Sequence, residues 1–369
     1  MPRQDNEKGA SGQCYNSAVK ALNLIKQLLI GLTTIVIAGV VGACVFIFLG
    51  GNIQYEGQQL IIEEGAVITP LFLTPFNGTV PSNEPPIGVM IDNELLARSF
   101  QKGLSFADFV YEAPTEGNIT RFLAIFSPER LPEKIGPIRS ARTYFLDWIH
   151  EYDGVYTHVG GNPDALARLM KEKIFNADQF YLDKYFRREN VGQTPMEHTM
   201  FTGAIKLKQM IADQRWSWNP PAHLMDREAT LRNMERYPAA NKITINFGLY
   251  TYTVGYEYDA ASGLYLRSQA KLPHIDHLNN KRIGVKIVVI QHVKSWANGD
   301  REMSMSMKTI SNGEATVFQN GHAVEATWKK ETLDGPTQFF DKKTGVEIIF
   351  AQTPTWFEIL VETDKLIYE

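Results

Sequence analysis

The sequence predicts an α+β protein: an N-terminal transmembrane helix, a mixed α/β first domain and a mostly antiparallel β second domain. Three observations carry that expectation. An uncharged apolar run lies near the N-terminus, strand and helix patterns alternate through the middle of the chain, and short strands separated by turn residues fill its last third.

The apolar run is LLIGLTTIVIAGVVGACVFIFLGGNI, residues 28–53, and it holds no charged residue. A helix needs roughly 20 apolar residues to cross the hydrocarbon core of a bilayer. A soluble helix of that length would keep a polar face, and the apolar region of a cleaved signal is only about 7–15 residues. Arg3, Lys8, Lys20 and Lys26 precede the run, whereas Glu56, Glu63 and Glu64 follow it. The excess of cations on the N-terminal side predicts a cytoplasmic tail over 1–27 and an extracytoplasmic remainder. One alternative stays open: Val41-Gly42-Ala43-Cys44 resembles a lipobox, whose cysteine would carry a lipid. Against it, residues 45–49 continue the apolar run, where a lipoprotein would turn polar. Either anchor attaches the chain to a membrane. Cys14 and Cys44 are the only cysteines, so no disulfide can brace the exterior and core burial must hold it.

Residues 54–86 read as a linker, because Pro70, Pro75, Pro81, Pro85 and Pro86 disfavour helix and central strand alike. The first domain, 87–238, opens with the strand IGVMID, followed by the strands FADFVYEA and ITRFLAIF. A helix comes next, with Phe145, Trp148, Ile149 and Tyr152 at i, i+3, i+4 and i+7 on one face. The strand GVYTHVGG leads into Asn162-Pro163, an N-cap with proline at the first helical position. Further helices are expected near 203–213 and 226–236. The second domain, 239–369, strings together KITINFG, TVGYEYD, GLYLRSQ, VKIVVIQ, ATVFQN, AVEATWKK and TWFEILVE, with hairpin signals such as Asn320-Gly321 between them.

With a net charge of −4 and a pI near 6.1, the chain is not a general nucleic-acid binder. It carries no phosphate-binding Walker loop, dinucleotide fingerprint, nucleophile elbow or zinc spacing. The stretch KIGPIRSART, residues 134–143, sets Arg139, Ser140 and Arg142 at a helix start, where the helix dipole disfavours cations. Either carboxylates or an anionic ligand must compensate them. A second helix start, at Asn162, follows the strand bearing His158, and loops of this kind share a crevice at the carboxyl ends of strands. Asp92, Asn93, Glu112, Glu116 and Arg121 sit at strand ends, and His198 stands in a loop able to close the cleft. These residues form the candidate ligand site, for an anion held by guanidinium forks and backbone N–H groups. In the rival reading the carboxylates pair with the arginines and only knit loops together. Glu112 and Glu116 also raise a glycosidase-type pair. His274-Ile275-Asp276-His277 lacks third and fourth metal ligands and reads as a surface turn, so no metal site is expected. The sequence identifies neither a cofactor nor a protein partner; both are unknown from it.

Taken in order, GVMIDN, GLSFADFVYEAPTEGNITRFLAIF, KIGPIRSART, YDGVYTHVGGNPDA and EHTMFT resemble the first domain of the YerB-like lipoprotein family. GLYLRS, HIDH, GEATVFQNGHAVEATWKK and TWFEI resemble its second domain. The resemblance runs from about residue 87 to the end, and implies a bacterial, membrane-attached, extracytoplasmic two-domain protein without supplying an activity. The chain departs from the family in its helix-like anchor and in Glu197-His198-Thr199, where a Pro-His-Asn-like stretch is usual. A looser similarity is to LytR-CpsA-Psr phosphotransferases, which use arginines and an acid-held metal on lipid-pyrophosphate-linked glycopolymers. Asp92, Arg121, Arg139 and Arg142 would stand for those groups, making an envelope glycopolymer enzyme the alternative to an anion-binding protein.

The predicted topology is testable with protease. Added to intact spheroplasts, it should degrade everything beyond the apolar run and spare the N-terminal tail. Protection of the folded portion until lysis would overturn it.

Overall fold

The strand IGVMID forms as β1 (Ile87–Asp92), buried along its whole length. The structure is a computed structural model that describes residues 84–189, 192, 194–224, 231, 233–299, 303–350 and 354–369. The tail, the apolar run with Cys44, and the linker up to residue 83 lie outside the described residues. Among the described residues no helix is long and apolar enough to cross a membrane.

Beside β1 lie β2 (Phe109–Pro114), β3 (Thr120–Phe126), β4 (Val155–His158) and β5 (Phe175–Asp178). The second half of the chain supplies β6 (Lys242–Asn246), β7 (Thr253–Asp259), β8 (Leu264–Gln269), β9 (Ile287–His292), β10 (Asn312–Gln319) and β11 (His322–Lys329). It ends with β12 (Gln338–Asp341), β13 (Glu347–Ile348), β14 (Thr355–Leu360) and β15 (Lys365–Tyr368). Among the described residues, eleven strands form one sheet in the order β13-β12-β11-β10-β9-β14-β2-β3-β1-β4-β5. A six-stranded sheet contains β8-β7-β6-β15 and the short segments Leu272–Pro273 and Gly284–Val285. In the large sheet β1, β2, β4, β5, β9 and β14 run the same way, so their carboxyl ends share one rim.

This architecture is α+β, with strands dominating. Side chains alternate across the large sheet. Ile87, Val89, Ile91, Val110 and Phe122 pack with Ile243, Ile245, Val254 and Tyr256 of the small sheet. Met90, Phe109, Tyr111 and Leu123 pack on the opposite face with α1 (Thr143–Ile149). A middle layer covered on both sides explains why its strands read as nearly continuous apolar runs. The predicted helix stripe of Phe145, Trp148, Ile149 and Tyr152 is buried. In α2 (Pro163–Leu169), Asn162 caps the helix by accepting from the Ala165 N–H at 3.2 Å. The expected third helix forms as α3 (Ala204–Gln214). Of the helix expected over 226–236, the described part is a 3-10 turn, Met234–Arg236. Between β10 and β11, Asn320 and Gly321 both take positive φ, at 51° and 76°, as a two-residue hairpin turn requires.

Among the described residues, strands from before and after residue 238 share the large sheet. β14 runs parallel to β2, pairing Phe109 with Thr355 through to Glu112 with Glu358, and the described residues make one compact unit. The position near 238 marks where helices give way to strands, not where the sheet ends. Left separate, β2 and β14 would each expose an unpaired edge.

Arg267 on β8 ties the layers together. It is wholly buried, and its Nη2 donates to Glu112 Oε2 on β2 while its Nη1 donates to His274 Nδ1. Nε donates to the Tyr256 hydroxyl at 3.2 Å and lies 3.9 Å from Glu358 Oε1 on β14. The guanidinium also stacks 4.7 Å from the Trp356 ring and 5.5 Å from that of Phe122. Because His274 Nδ1 accepts from Arg267, its Nε2–H donates to Gln101 Oε1 at 2.8 Å. The HIDH stretch is therefore not a surface turn: His274 and Asp276 are both buried. Asp276 accepts from the Gly103 and Ser105 N–H groups at 3.0 and 2.8 Å, and from the Ser105 hydroxyl at 2.7 Å.

Removing one partner of a buried pair leaves the other uncompensated, at about 3–5 kcal/mol. Arg267→Ala should therefore destabilise the protein by that amount in chemical denaturation, far more than loss of an exposed arginine. A change below about 1 kcal/mol would show that the layers do not depend on it.

Candidate functional site

The stretch KIGPIRSART owes its place to a divergence in the sheet. β1 and β4 pair only as far as Val89 and Thr157, and the loop wedges between their carboxyl ends. There Asp92 N–H donates to Pro137 O and Arg139 N–H to Met90 O, both at 2.9 Å. From the β4 side, Val159 N–H donates to Arg139 O at 3.1 Å, and Ala141 N–H to Gly160 O at 2.9 Å. A crevice where parallel strands separate is the usual ligand position in such sheets.

Arg142 precedes α1, and its charge is answered from within the protein. Nε and Nη2 form a bidentate pair with Glu116 Oε1 and Oε2 at 2.7 and 2.8 Å, while Nη1 donates to Ser140 Oγ at 3.0 Å and Ala141 O at 2.7 Å. Burial opposes the ionised Glu116, but the Arg142 hydrogen bonds outweigh it and hold its pKa below 4.5. For Arg142 and Glu116 the loop-knitting reading fits the geometry.

Arg139 is differently placed. Its Nη1 donates to Glu197 O at 3.1 Å, and its Nε lies 3.3 Å from Asp92 Oδ2 without making a hydrogen bond. Asp92 is buried and meets His198 Nδ1 through the same oxygen at 2.5 Å. Burial disfavours the Asp92 carboxylate, yet His198 and then Arg139 overcome that and lower its pKa below 3.8. The Asp92 hydrogen bond raises the His198 pKa above 6.5.

Arg121 pairs with Asp92 in the β1–β3 register and is 5% exposed. Its Nη1 donates to Ser140 O at 2.8 Å and reaches Ser140 Oγ at 3.4 Å, so its hydrogen bonds go to Ser140 and not to a carboxylate. Burial, then Arg142 and Arg139, pull its pKa down to about 10, with Asp92 acting in the opposite sense. Nearby, the buried Tyr156 hydroxyl lies beside the Arg142 backbone and the Arg121 guanidinium, and burial pushes its pKa up.

The structure thus gathers Asp92, Glu116, Arg121, Arg139, Ser140, Arg142 and His198. It places the other expected residues elsewhere. Glu112 and Asn93 belong to the Arg267 network: Asn93 Nδ2 donates to Glu112 Oε1 at 3.2 Å, and Gln101 Nε2 reaches Asn93 Oδ1 at 3.4 Å. Glu112 is fully buried against Arg267, away from Glu116, which answers the glycosidase pairing. His158 is bound between Gly160 O at 2.7 Å and Asn176 Oδ1 at 2.8 Å, and Asn162 caps α2. Sequence reasoning missed Tyr156 and Gln101, because nothing in their local pattern separates them from ordinary core and loop residues.

With this geometry in hand, the comparisons with known proteins converge. The family model for the N-terminal domain of a protein of unknown function (DUF3048) matches residues 73–217, and the model for its C-terminal domain matches 243–357. The chain belongs to the YerB-like family. It is 28% identical over 287 residues to the Bacillus subtilis (strain 168) protein named "Putative lipoprotein YerB", covering 76% of this chain and 82% of that one. A crystal structure of YerB from Bacillus subtilis superposes with a TM-score of 0.67 at 25% identity, over 80% of this chain and 98% of that chain. The YerB-like match spans both halves of the large sheet and carries no activity with it.

The Asp92–His198 pair sets a pH window. Asp92, with its pKa lowered, contributes stability above pH 3.8 that is lost as pH falls through its folded value. His198, with its pKa raised, contributes fully below pH 6.5 and loses that contribution as pH rises through its folded value. In an NMR titration the His198 ring should therefore titrate above 6.5, and Asp92→Asn should move its midpoint down. A wild-type midpoint at or below 6.5 would refute the pairing.

Proposed function

We propose that the protein is a membrane-attached, extracytoplasmic binding protein whose sheet-rim crevice holds an anionic, phosphorylated ligand of the cell envelope. Attachment is supported by the apolar run at 28–53 and by the lipoprotein name of its Bacillus relative. The observation that carries the ligand class is Arg121. Three guanidinium groups meet at the rim; two of them pair directly with Asp92 and Glu116, and among the described residues the buried third makes its hydrogen bonds to Ser140, with Asp92 acting on it at longer range. An incoming phosphate would supply the missing charge, with Arg121, Arg139, Ser140 and the Tyr156 hydroxyl as its donors.

A second reading, an enzyme acting on envelope glycopolymers, draws on one feature. Asp92 orients His198 through Nδ1 beside Arg139, as a carboxylate orients an acid–base histidine. In its metal-dependent form that reading asks Asp92 to hold a cation, whereas Asp92 here serves His198 and Arg139.

Titration of inorganic phosphate into the full chain tests the binding reading. A charge-assisted hydrogen bond contributes roughly 1.5–3 kcal/mol. Arg139→Ala should therefore weaken phosphate about tenfold or more with little change in Tm. Arg142→Ala should instead lower Tm, because it strands Glu116. Unchanged phosphate affinity in Arg139→Ala, with Tm lowered, would leave the cluster a structural knot.

A further inference from the structure

The rim around Arg139 is apolar as well as cationic. Leu95 and Leu96 are 53% and 54% exposed, Met196 67%, Phe180 70% and Tyr181 81%. Single exposed apolar residues are ordinary on a protein surface. These five occupy three loops, each tied to residues that flank the arginine loop. Leu95 and Leu96 follow Asp92 directly, and Leu96 N–H is fixed by Glu94 Oε2, which lies 3.9 Å from His198 Nε2. Met196 adjoins Glu197, whose carbonyl accepts from Arg139, and Arg188 donates to the Met196 carbonyl. Phe180 follows β5 and lies over Gly160, where a Cβ would come within 2.9 Å of its ring; Gly160 O is bound by Ala141 of the arginine loop.

A free phosphate would use the arginines and leave this apolar fringe in water. We infer that the ligand is an amphiphile, a phosphate monoester carrying an apolar chain, so that the charged head seats against Arg121 and Arg139 while the chain lies across Leu95, Leu96, Met196, Phe180 and Tyr181. The inference rests on the anion-site reading and adds the second half of the ligand. Cations behind an exposed apolar fringe match the two-part character of lipid headgroup regions, where apolar side chains enter the acyl boundary and cations meet phosphate.

The experiment compares a head group with and without its chains. The full chain, held in nanodiscs of neutral phosphatidylcholine with empty nanodiscs as the blank, is titrated with glycerol 3-phosphate and with dihexanoyl phosphatidic acid. The phosphatidic acid should bind at least tenfold more tightly. Leu96→Ser combined with Phe180→Ser should erase that difference and leave glycerol 3-phosphate affinity unaltered, and Leu95→Ser with Leu96→Ser serves if the Phe180 change disturbs the Gly160 turn. Arg139→Ala should weaken both ligands. Equal affinity for the two ligands overturns the amphiphile and leaves the anion site standing. Binding of neither overturns both.

Discussion

Arg267 sits where three parts of the protein have to agree. Glu112 on β2 and Glu358 on β14 are register partners across the junction that makes one sheet from the two halves of the chain. Two buried carboxylates side by side repel, and burial followed by the charge of Glu112 pushes the Glu358 pKa well above its ordinary range. The guanidinium of the small sheet makes the arrangement tolerable. Burial alone would weaken its charged form, but Glu112, then Tyr256 and Glu358, more than reverse that. A one-residue slip of β14 would turn Glu358 to the helix-covered face, so the ion pair also specifies register. Taking charges out of water is expensive, and such a pair is better understood as fixing an arrangement than as adding net stability.

The same network reaches the rim. From Arg267 it passes through His274 to Gln101, whose amide donates to the Asp92 carbonyl at 2.5 Å, and through Glu112 to Asn93. Thr120, at the start of β3, donates to Glu112 Oε1 at 2.5 Å. The last residues of β1 are therefore held from beneath before any side chain of the crevice is considered. The arginine loop is pinned to the main chain of β1 on one side and to residues 159–160 on the other. The backbone carrying Asp92 and Arg139 is thus held by hydrogen bonds on both sides.

Much of this was legible in the sequence, and the limits have a physical pattern. Strands with both faces buried show as apolar runs, the α1 stripe as helical spacing, and the α2 start as Asn162-Pro163. All of these signals are local. What escaped depends on partners far along the chain. Glu112 looks like a site residue because it ends a strand beside Glu116, but its role is decided by Arg267, 155 residues away. HIDH looks like a turn because nothing nearby announces that Asp276 will bind Gly103 and Ser105. The local texture of the chain changes near 238, whereas the pairing of β2 with β14 is a property of two distant edges. At the rim the arginines were legible from their conflict with the helix dipole. Which of them finds a carboxylate was not.

That last distinction has an internal standard. Arg267 shows what the fold does with a buried guanidinium whose role is structural: a carboxylate, an imidazole, a phenol and aromatic faces surround it, and its charged form is favoured. Arg121 is almost as buried, and there burial, followed by Arg142 and Arg139, draws its pKa down to about 10 against the pull of Asp92. Both arginines end up enclosed by the same sheet, so burial does not separate them. The difference lies in what was placed opposite each. The three guanidinium groups lie close together there, and Asp92 and Glu116 are the carboxylates that act on them. The Arg142–Glu116 pair closes on itself, whereas Asp92 is shared among His198, Arg139 and Arg121.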